Sequence, residues 1–299
     1  MTATAARRRP SPAGAKPPAT VHLDMDGAAH IFRAHGWSYP SSEDPLFFSG
    51  LRAFLDMFAR RGLRATIFVI AEDVNDPAKH ELLSEAVRQG HEVASHTVTH
   101  EHLTRLDETR RRDEIVRSRE LLGERLGANV DGFRAPGFLI DRSALELLDD
   151  AGYSWDSSLF PRAGRGADAG RIAARSAEPH RPFSDRPLIE LPMPAHRPLP
   201  LPFHPSYSLI LGLPYFRLGL RKHRRTGAPY VMLFHLTDLA DPLPDELLAG
   251  YAQRYYTLSH LGAARKRARC ERFLDLVQQH YSFDDNRAFL TRARQQDGV

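Results

Sequence analysis

The chain has 299 residues, 42% of them hydrophobic and 26% charged, with a formal net charge of +4 and one cysteine. That length suits one large domain or two small ones with a sizeable core. The composition excludes a disordered chain, a collagen-like repeat and a helical membrane span, which needs an apolar run of about 18 residues. Cys270 has no partner for an internal disulfide or a cysteine-based zinc site, and reads as a small buried apolar residue. The basic excess is concentrated in Arg7-Arg8-Arg9 and in residues 217–225 (RLGLRKHRR). Such clusters meet phosphate or an anionic membrane, or simply face solvent. No nucleic-acid-binding motif accompanies them, so nucleic acid is not expected as a partner.

Residues 1–19 are rich in Ala, Pro and Arg without an apolar pattern, and are expected to form a disordered leader ahead of a single domain over residues 20–299. They lack the apolar stretch of a secretory signal, so a cytoplasmic location is expected. Val21, Leu23 and Met25 alternate with His22, Asp24 and Asp26, which predicts a strand with acids on one face. Residues 51–61 have helical spacing and stop at Gly62, and Ala65–Ile70 is a short buried-strand run. The alternation continues with a helix over 80–89, a strand over 91–95, a helix over 107–126, a strand from 131, a helix over 143–151 and a strand over 153–156. Strand following helix following strand predicts a mainly parallel α/β fold, whose active sites gather at the C-terminal strand ends. Further on, 162–187 reads as an irregular excursion and 192–205 as extended. Residues 206–225 are apolar and then basic, 230–236 form a strand and 263–280 a last amphipathic helix.

Four groups of residues carry chemistry. Asp24-Met25-Asp26-Gly27 sets two carboxylates on one side of a strand, where they either flank a cation or cap a turn. His96 and His100 stand four apart, close enough to share a metal on a helix or in a loop; ordinary core or surface histidines are the other reading. Thr97, Val98 and Thr99 between them disfavour helix. Asp26, His96 and His100 together make one carboxylate and two imidazoles, a set that binds zinc or another divalent ion, with Asp24 left beside it as a base. Arg134, in GFRAPG, can hold a carboxylate, and the following Pro136-Gly137 offers backbone N–H groups to an oxyanion, unless the segment is only a surface turn. His235 stands in the middle of an apolar strand run, either as a buried histidine or as a proton donor to a leaving amine.

In this order the segments LDMDG, ATIFVIAEDV, GHEVASHTVTH, FRAPGF, YSWDSSLFP, LIELP and LFHLTDLADP resemble the polysaccharide deacetylase family (carbohydrate esterase family 4, NodB-homology fold) from about Val21 to Phe283. GLPYFRLGLRKHRR adds a likeness to a bacterial subgroup tied to exopolysaccharide biosynthesis. The resemblance implies a partial or distorted (β/α) barrel that removes N-acetyl groups from amino sugars in a polysaccharide, oligosaccharide or lipid-linked glycan. It implies Asp26, His96 and His100 as ligands of one divalent ion, zinc foremost, Asp24 as base and Arg134 as the residue orienting it. The Gly137 N–H falls at the oxyanion position and His235 at the general acid. Asp24-Met25-Asp26 departs from the adjacent acids usual in the family and resembles branches acting on other amides. The acid that tunes the catalytic histidine is not evident, and Asp156 and Glu190 are its nearest candidates.

Three other readings stay open: a deformylase of a lipid-linked amino sugar or an amidohydrolase of a non-sugar C–N bond; a non-haem iron oxygenase, which the helix–strand alternation disfavours; and a non-catalytic glycan-binding protein. The stretch Leu209–Arg225 either packs on the barrel with a solvated basic end or lies peripherally on a membrane.

Overall fold

The computed structural model describes residues 16–161, 172–174, 176–196, 201–287 and 289–291. Residues 1–15 of the expected 1–19 leader and the centre of the expected irregular excursion lie outside the described residues.

β1 (Pro18–Asp24) opens the fold two residues before the alternation suggests. Ala19, Val21 and Leu23 join the core beneath the helices, which turns Thr20, His22 and Asp24 to the other face of the sheet. α1 (Ala28–Ala34) follows, a short helix that sequence periodicity missed, with Ala28, Ile31 and Phe32 packed against Leu46 and Leu243. α2 (Pro45–Arg61) starts six residues earlier than expected because Asp44 caps it and Pro45 occupies its first turn. The Asp44 carboxylate takes the Phe47 N–H at 3.2 Å and the Ala28 N–H at 2.9 Å, tying the start of α2 to that of α1. Gly62, at φ 61°, ends α2 as foreseen.

β2 (Thr66–Val69), α3 (Pro77–Arg88), β3 (Glu92–Ser95), α4 (Glu108–Leu126), β4 (Gly132–Phe133), α5 (Arg142–Asp150) and β5 (Trp155–Asp156) repeat the predicted alternation. β6 (Ile189–Glu190) precedes an antiparallel pair, β7 (Ala195–His196) and β8 (Leu201–Pro202). The apolar-then-basic stretch is two helices, α6 (Pro205–Leu211) and α7 (Leu213–Arg224), parted by Gly212 at φ 86°. β9 (Tyr230–His235), α8 (Tyr251–Tyr256), α9 (Ala263–Gln278) and β10 (Ser282–Phe283) complete the order. Among the described residues no helix is long and apolar enough to cross a membrane.

The main sheet is parallel throughout, in the order β10-β1-β2-β3-β4-β5-β6, with β9 pairing β1 along Ala19–Asp24. Because residues 22–24 of β1 pair with both β2 and β9, those two strands take opposite edges. The result is the expected partial (β/α) barrel, with helices outside. Phe68, Ala94, Trp155, Ile189, Val231 and Leu233 form a second, inner cluster. His22 stacks on Trp155 with ring centroids 5.9 Å apart, so the barrel interior below Asp24 is packed rather than open.

Candidate functional site

The site stands at the C-terminal ends of four strands. Asp24 ends β1 and Asp26 follows it, His96 follows β3, Arg134 follows β4, and His235 ends β9 opposite Asp24 in register. Sheet order brings together four motifs spread over more than 200 residues of sequence.

The two acids two apart on β1 have separate partners. Asp24 is buried and its Oδ1 accepts from Arg134 Nη1 at 2.6 Å. Arg134 is fully buried, its remaining N–H groups reaching Ser157 O at 2.8 Å, Ser157 Oγ at 2.8 Å and His22 Nδ1 at 2.7 Å. Its guanidinium also lies 3.9 Å from the centre of the Phe68 ring. Burial, and then the adjacent Arg134, push His22 well below the usual imidazole range, which leaves its Nδ1 free to accept.

Asp26 faces the two histidines. Its Oδ1 lies 3.3 Å from His96 Nε2 and 3.0 Å from His100 Nε2, and one donor atom from each of the three lies within 4.8 Å of the others. His96 Nδ1 sits 2.8 Å from the Arg134 carbonyl; an Nδ1–H donating there turns the Nε2 lone pair toward Asp26. Burial alone would raise the Asp26 carboxyl, but His100 and then His96 hold it well below its ordinary value. Asp26 Oδ1 and both ring nitrogens of His100 are buried without an aligned hydrogen bond.

The loop that carries the histidines is not helical. Thr97 and His100 adopt φ 69° and 63°, the left-handed region that β-branched residues rarely enter. The strain is held by α4, where the buried Glu114 accepts from Val98 N at 2.8 Å, Thr99 N at 2.9 Å and Thr99 Oγ1 at 2.7 Å. Sequence reading missed Glu114, one acid among many on a charged helix.

His235 Nε2 lies 3.7 Å from Asp24 Oδ2. Its Nδ1 meets Ser206 Oγ at 2.9 Å, and Ser206 Oγ donates to Asp238 Oδ2 at 3.0 Å. The same Asp238 oxygen accepts the His235 backbone N–H at 3.0 Å. The acid that orients His235 is therefore Asp238, reached through a serine. Asp156 and Glu190, the two candidates from sequence, have other partners. They pair with each other across β5 and β6, and their carboxylates hold Ser158 Oγ and the Leu159 N–H. Burial, then the neighbouring Asp156, push Glu190 well above the carboxylate range. The sequence signal for Asp238 was its position three after His235, within the motif HLTD.

Gly137 takes φ 60°, and the amides that follow it are committed, Phe138 N–H to Ala135 O and Leu139 N–H to Pro136 O. Asp26, Gly137, Ser206 and His235 line one cavity of about 760 Å³. His204 lines it too, its ring 5.2 Å from that of His235. Burial, and then His235 and Arg134, push His204 well below the imidazole range.

Fold and site thus define a strand-end site of one carboxylate, two imidazoles, an arginine-held acid and a serine-held histidine, on a partial parallel barrel. Residues 49–155 match the family model described as polysaccharide deacetylase. A bifunctional xylanase/deacetylase of Pseudobutyrivibrio xylanivorans is 27% identical over 95 residues, 32% of this chain and 16% of that protein. A peptidoglycan deacetylase-like protein of Gibberella zeae is 36% identical over 73 residues, 24% of this chain and 22% of that protein. The chain therefore spans about a fifth of the length of these curated relatives. Among solved structures, a Mycobacterium smegmatis protein of polysaccharide deacetylase type superimposes with a TM-score of 0.66 at 20% identity, covering 98% of this chain and 96% of that one. The allantoinase PuuE superimposes with a TM-score of 0.62 at 15% identity, covering 95% and 92%. At 20% and 15% identity these two structures share the fold with the chain.

Proposed function

We propose that the chain is a metal-dependent N-deacetylase that hydrolyses the N-acetyl amide of an amino sugar in a polysaccharide, oligosaccharide or lipid-linked glycan, with residues 20–299 as one catalytic domain. The observation that carries this reading is the convergence of Asp24–Arg134, Asp26 with His96 and His100, and His235 at one end of one barrel. The family match and the two curated relatives support deacetylation as the chemistry.

Asp26, His96 and His100 fit a divalent cation. One carboxylate and two imidazoles converge, with buried donor atoms that no hydrogen bond satisfies, a set suited to zinc with positions left for water and substrate. When bound, the ion would supply Lewis acidity toward the amide carbonyl and water of lowered pKa. With Oδ1 committed to Arg134, Asp24 uses Oδ2 to accept the proton of the attacking water. The Gly137 N–H is the backbone donor for the charge that grows on the carbonyl oxygen. His235 Nε2 delivers a proton to the departing amine, its ring held by Ser206 and Asp238 from the other nitrogen. The resemblance of residues 212–225 supports an exopolysaccharide-related glycan.

The test is metal content and acetate release from N-acetylated oligosaccharides, wild type beside His96→Ala. One divalent ion per chain, lost in the variant together with acetate release, is the expected result. Metal without acetate release would overturn the substrate and turn the search to formyl and non-sugar amides. No metal in either protein would overturn the mechanism.

A further inference from the structure

From residue 191 to residue 237 the chain contains no aspartate or glutamate, while Arg197, Arg217, Arg221, Lys222, Arg224 and Arg225 fall in that stretch. α6 and α7 lie within it and each uses one side for the fold. Leu209, Phe216, Gly219 and Leu220 are buried, and a Cβ on Gly219 would come within 2.3 Å of the Phe203 ring. The sequence reading of a helix packed on the barrel therefore holds for the inner side.

The outer side is different. Among the described residues the large apolar side chains left exposed are Tyr207, Ile210, Leu211 and Leu218 on α6 and α7, and Tyr251 and Tyr256 on α8. Tyr207, Ile210, Leu211 and Tyr256 also line the cavity, so the exposed apolar surface is continuous with its rim. Leu211 is 53% exposed. Arg217, Arg221 and Arg225 are exposed at spacings of four residues, with the exposed Leu218 three before Arg221, which sets them along one outer stripe of α7 and just beyond it. Among the described residues no ion pair engages Arg217, Arg221 or Arg225. Residues 1–15 and 162–171 contain no leucine, isoleucine, valine or aromatic residue, so neither segment has the composition to cover an apolar face.

We propose that the outer face of α6 and α7 docks on an anionic lipid bilayer. Tyr207, Ile210, Leu211 and Leu218 enter the boundary between headgroups and acyl chains, and the basic residues of α7 lie on lipid phosphates. An apolar strip edged by cations, on a segment that itself carries no carboxylate, matches such a surface in both hydrophobicity and charge. Docking there turns the mouth of the cavity toward the membrane. That lipid-borne N-acyl sugars would then reach the site rests on the deacetylase reading; the docking does not.

The experiment is co-sedimentation of the full chain with vesicles of phosphatidylcholine alone or mixed with phosphatidylglycerol, at low and high salt, with no substrate present. Binding to the mixed vesicles at least about tenfold above the neutral ones, weakened by salt, is expected. Arg217→Gln/Arg221→Gln/Arg225→Gln should lower it about a hundredfold, at about fivefold per basic residue, with an unchanged circular dichroism spectrum. Ile210→Ser/Leu211→Ser should lower it independently. Equal binding to both vesicle types, or a triple variant that binds as wild type, overturns the proposal. So does self-association that Ile210→Ser/Leu211→Ser abolishes while no vesicle binds, since the patch would then meet a second copy of the chain. None of these outcomes depends on whether acetate is released.

Discussion

The Asp24–Arg134 pair lets the chemistry of a site residue be separated from its contribution to the fold. Asp24→Asn keeps the shape and one acceptor oxygen but removes the charge opposite a guanidinium that is 0% exposed. Breaking a buried pair from one side costs about 3–5 kcal/mol. Here Ser157 O, Ser157 Oγ and His22 Nδ1 still accept from Arg134, and the Asn oxygen replaces one acceptor, so about 2–3 kcal/mol is expected. For a chain of this size that lowers Tm by about 3–5 °C and leaves the protein folded at 25 °C. Activity should fall far more, by about 10²–10⁴ in kcat, because the proton acceptor for water is gone. Metal content should not change, since Asp26, His96 and His100 are untouched; Asp26→Asn should lose the ion. The assay is acetate release at 25 °C, with the ion counted by elemental analysis on the same samples and Tm measured alongside. A kcat within tenfold of wild type would refute Asp24 as the base. Loss of the ion from Asp24→Asn would show Asp24 to be a ligand instead.

Ser206→Ala removes the hydroxyl between His235 Nδ1 and Asp238, and should lower kcat about tenfold with KM nearly unchanged, while Ser206→Thr restores most of it; a change in KM alone would argue for a substrate contact. Burial pushes His91 from the ordinary 6.5 down to about 4, and the Ala65 N–H donates to its Nδ1 at 3.2 Å, which requires the ring neutral there. The folded state thus binds fewer protons than the unfolded chain between those values. Its stability should fall by about 3 kcal/mol as pH drops through that window, an acid slope in urea unfolding that His91→Gln should flatten. Gly132→Ala would place a methyl 1.9 Å from Trp155 Cζ2, and should cost at least about 2–3 kcal/mol, read as a Tm loss of at least about 3–5 °C with altered near-ultraviolet dichroism; an unchanged Tm would refute the close packing beneath the site.

The barrel was legible because its elements are bounded by local signals. Gly62, Gly90, Gly127 and Gly152 follow the ends of α2, α3, α4 and α5, and apolar runs mark β2 and β9. What escaped was set by contacts distant in sequence. α1 is seven residues long and too short for a helical period to show. The early start of α2 depends on Asp44, whose second oxygen takes Lys79 Nζ at 2.9 Å and so serves a helix 35 residues away. The four strand-end motifs were readable as residue types, and the partners of Asp24 and Asp26 followed from the resemblance, but the acid behind His235 did not. Asp156 and Glu190 looked available beside His235, and the register of β5 with β6 turns them on each other instead.

The loop from His96 to His100 shows why residue types can point to a site while the geometry behind them stays hidden. A four-residue spacing suggests a helix face, yet two left-handed residues, Thr97 and His100, bend the chain so that the rings converge from a turn. Each such residue costs about 1–3 kcal/mol, and loops of this kind persist only where the surroundings over-determine them. Glu114 supplies that constraint through three hydrogen bonds, Ser95 Oγ accepts the Thr97 N–H at 3.2 Å, and Thr97 Oγ1 accepts the His100 N–H at 3.0 Å. The barrel also contributes directly, since the His96 N–H continues the β3 pairing onto Val69 O at 2.9 Å. Strain at the two imidazoles is therefore offset by groups that touch neither ring. The same division holds at His235, where a serine and a buried aspartate fix the orientation and leave Nε2 facing the cavity. In both places the atom left for chemistry is the one whose neighbour has been tied down.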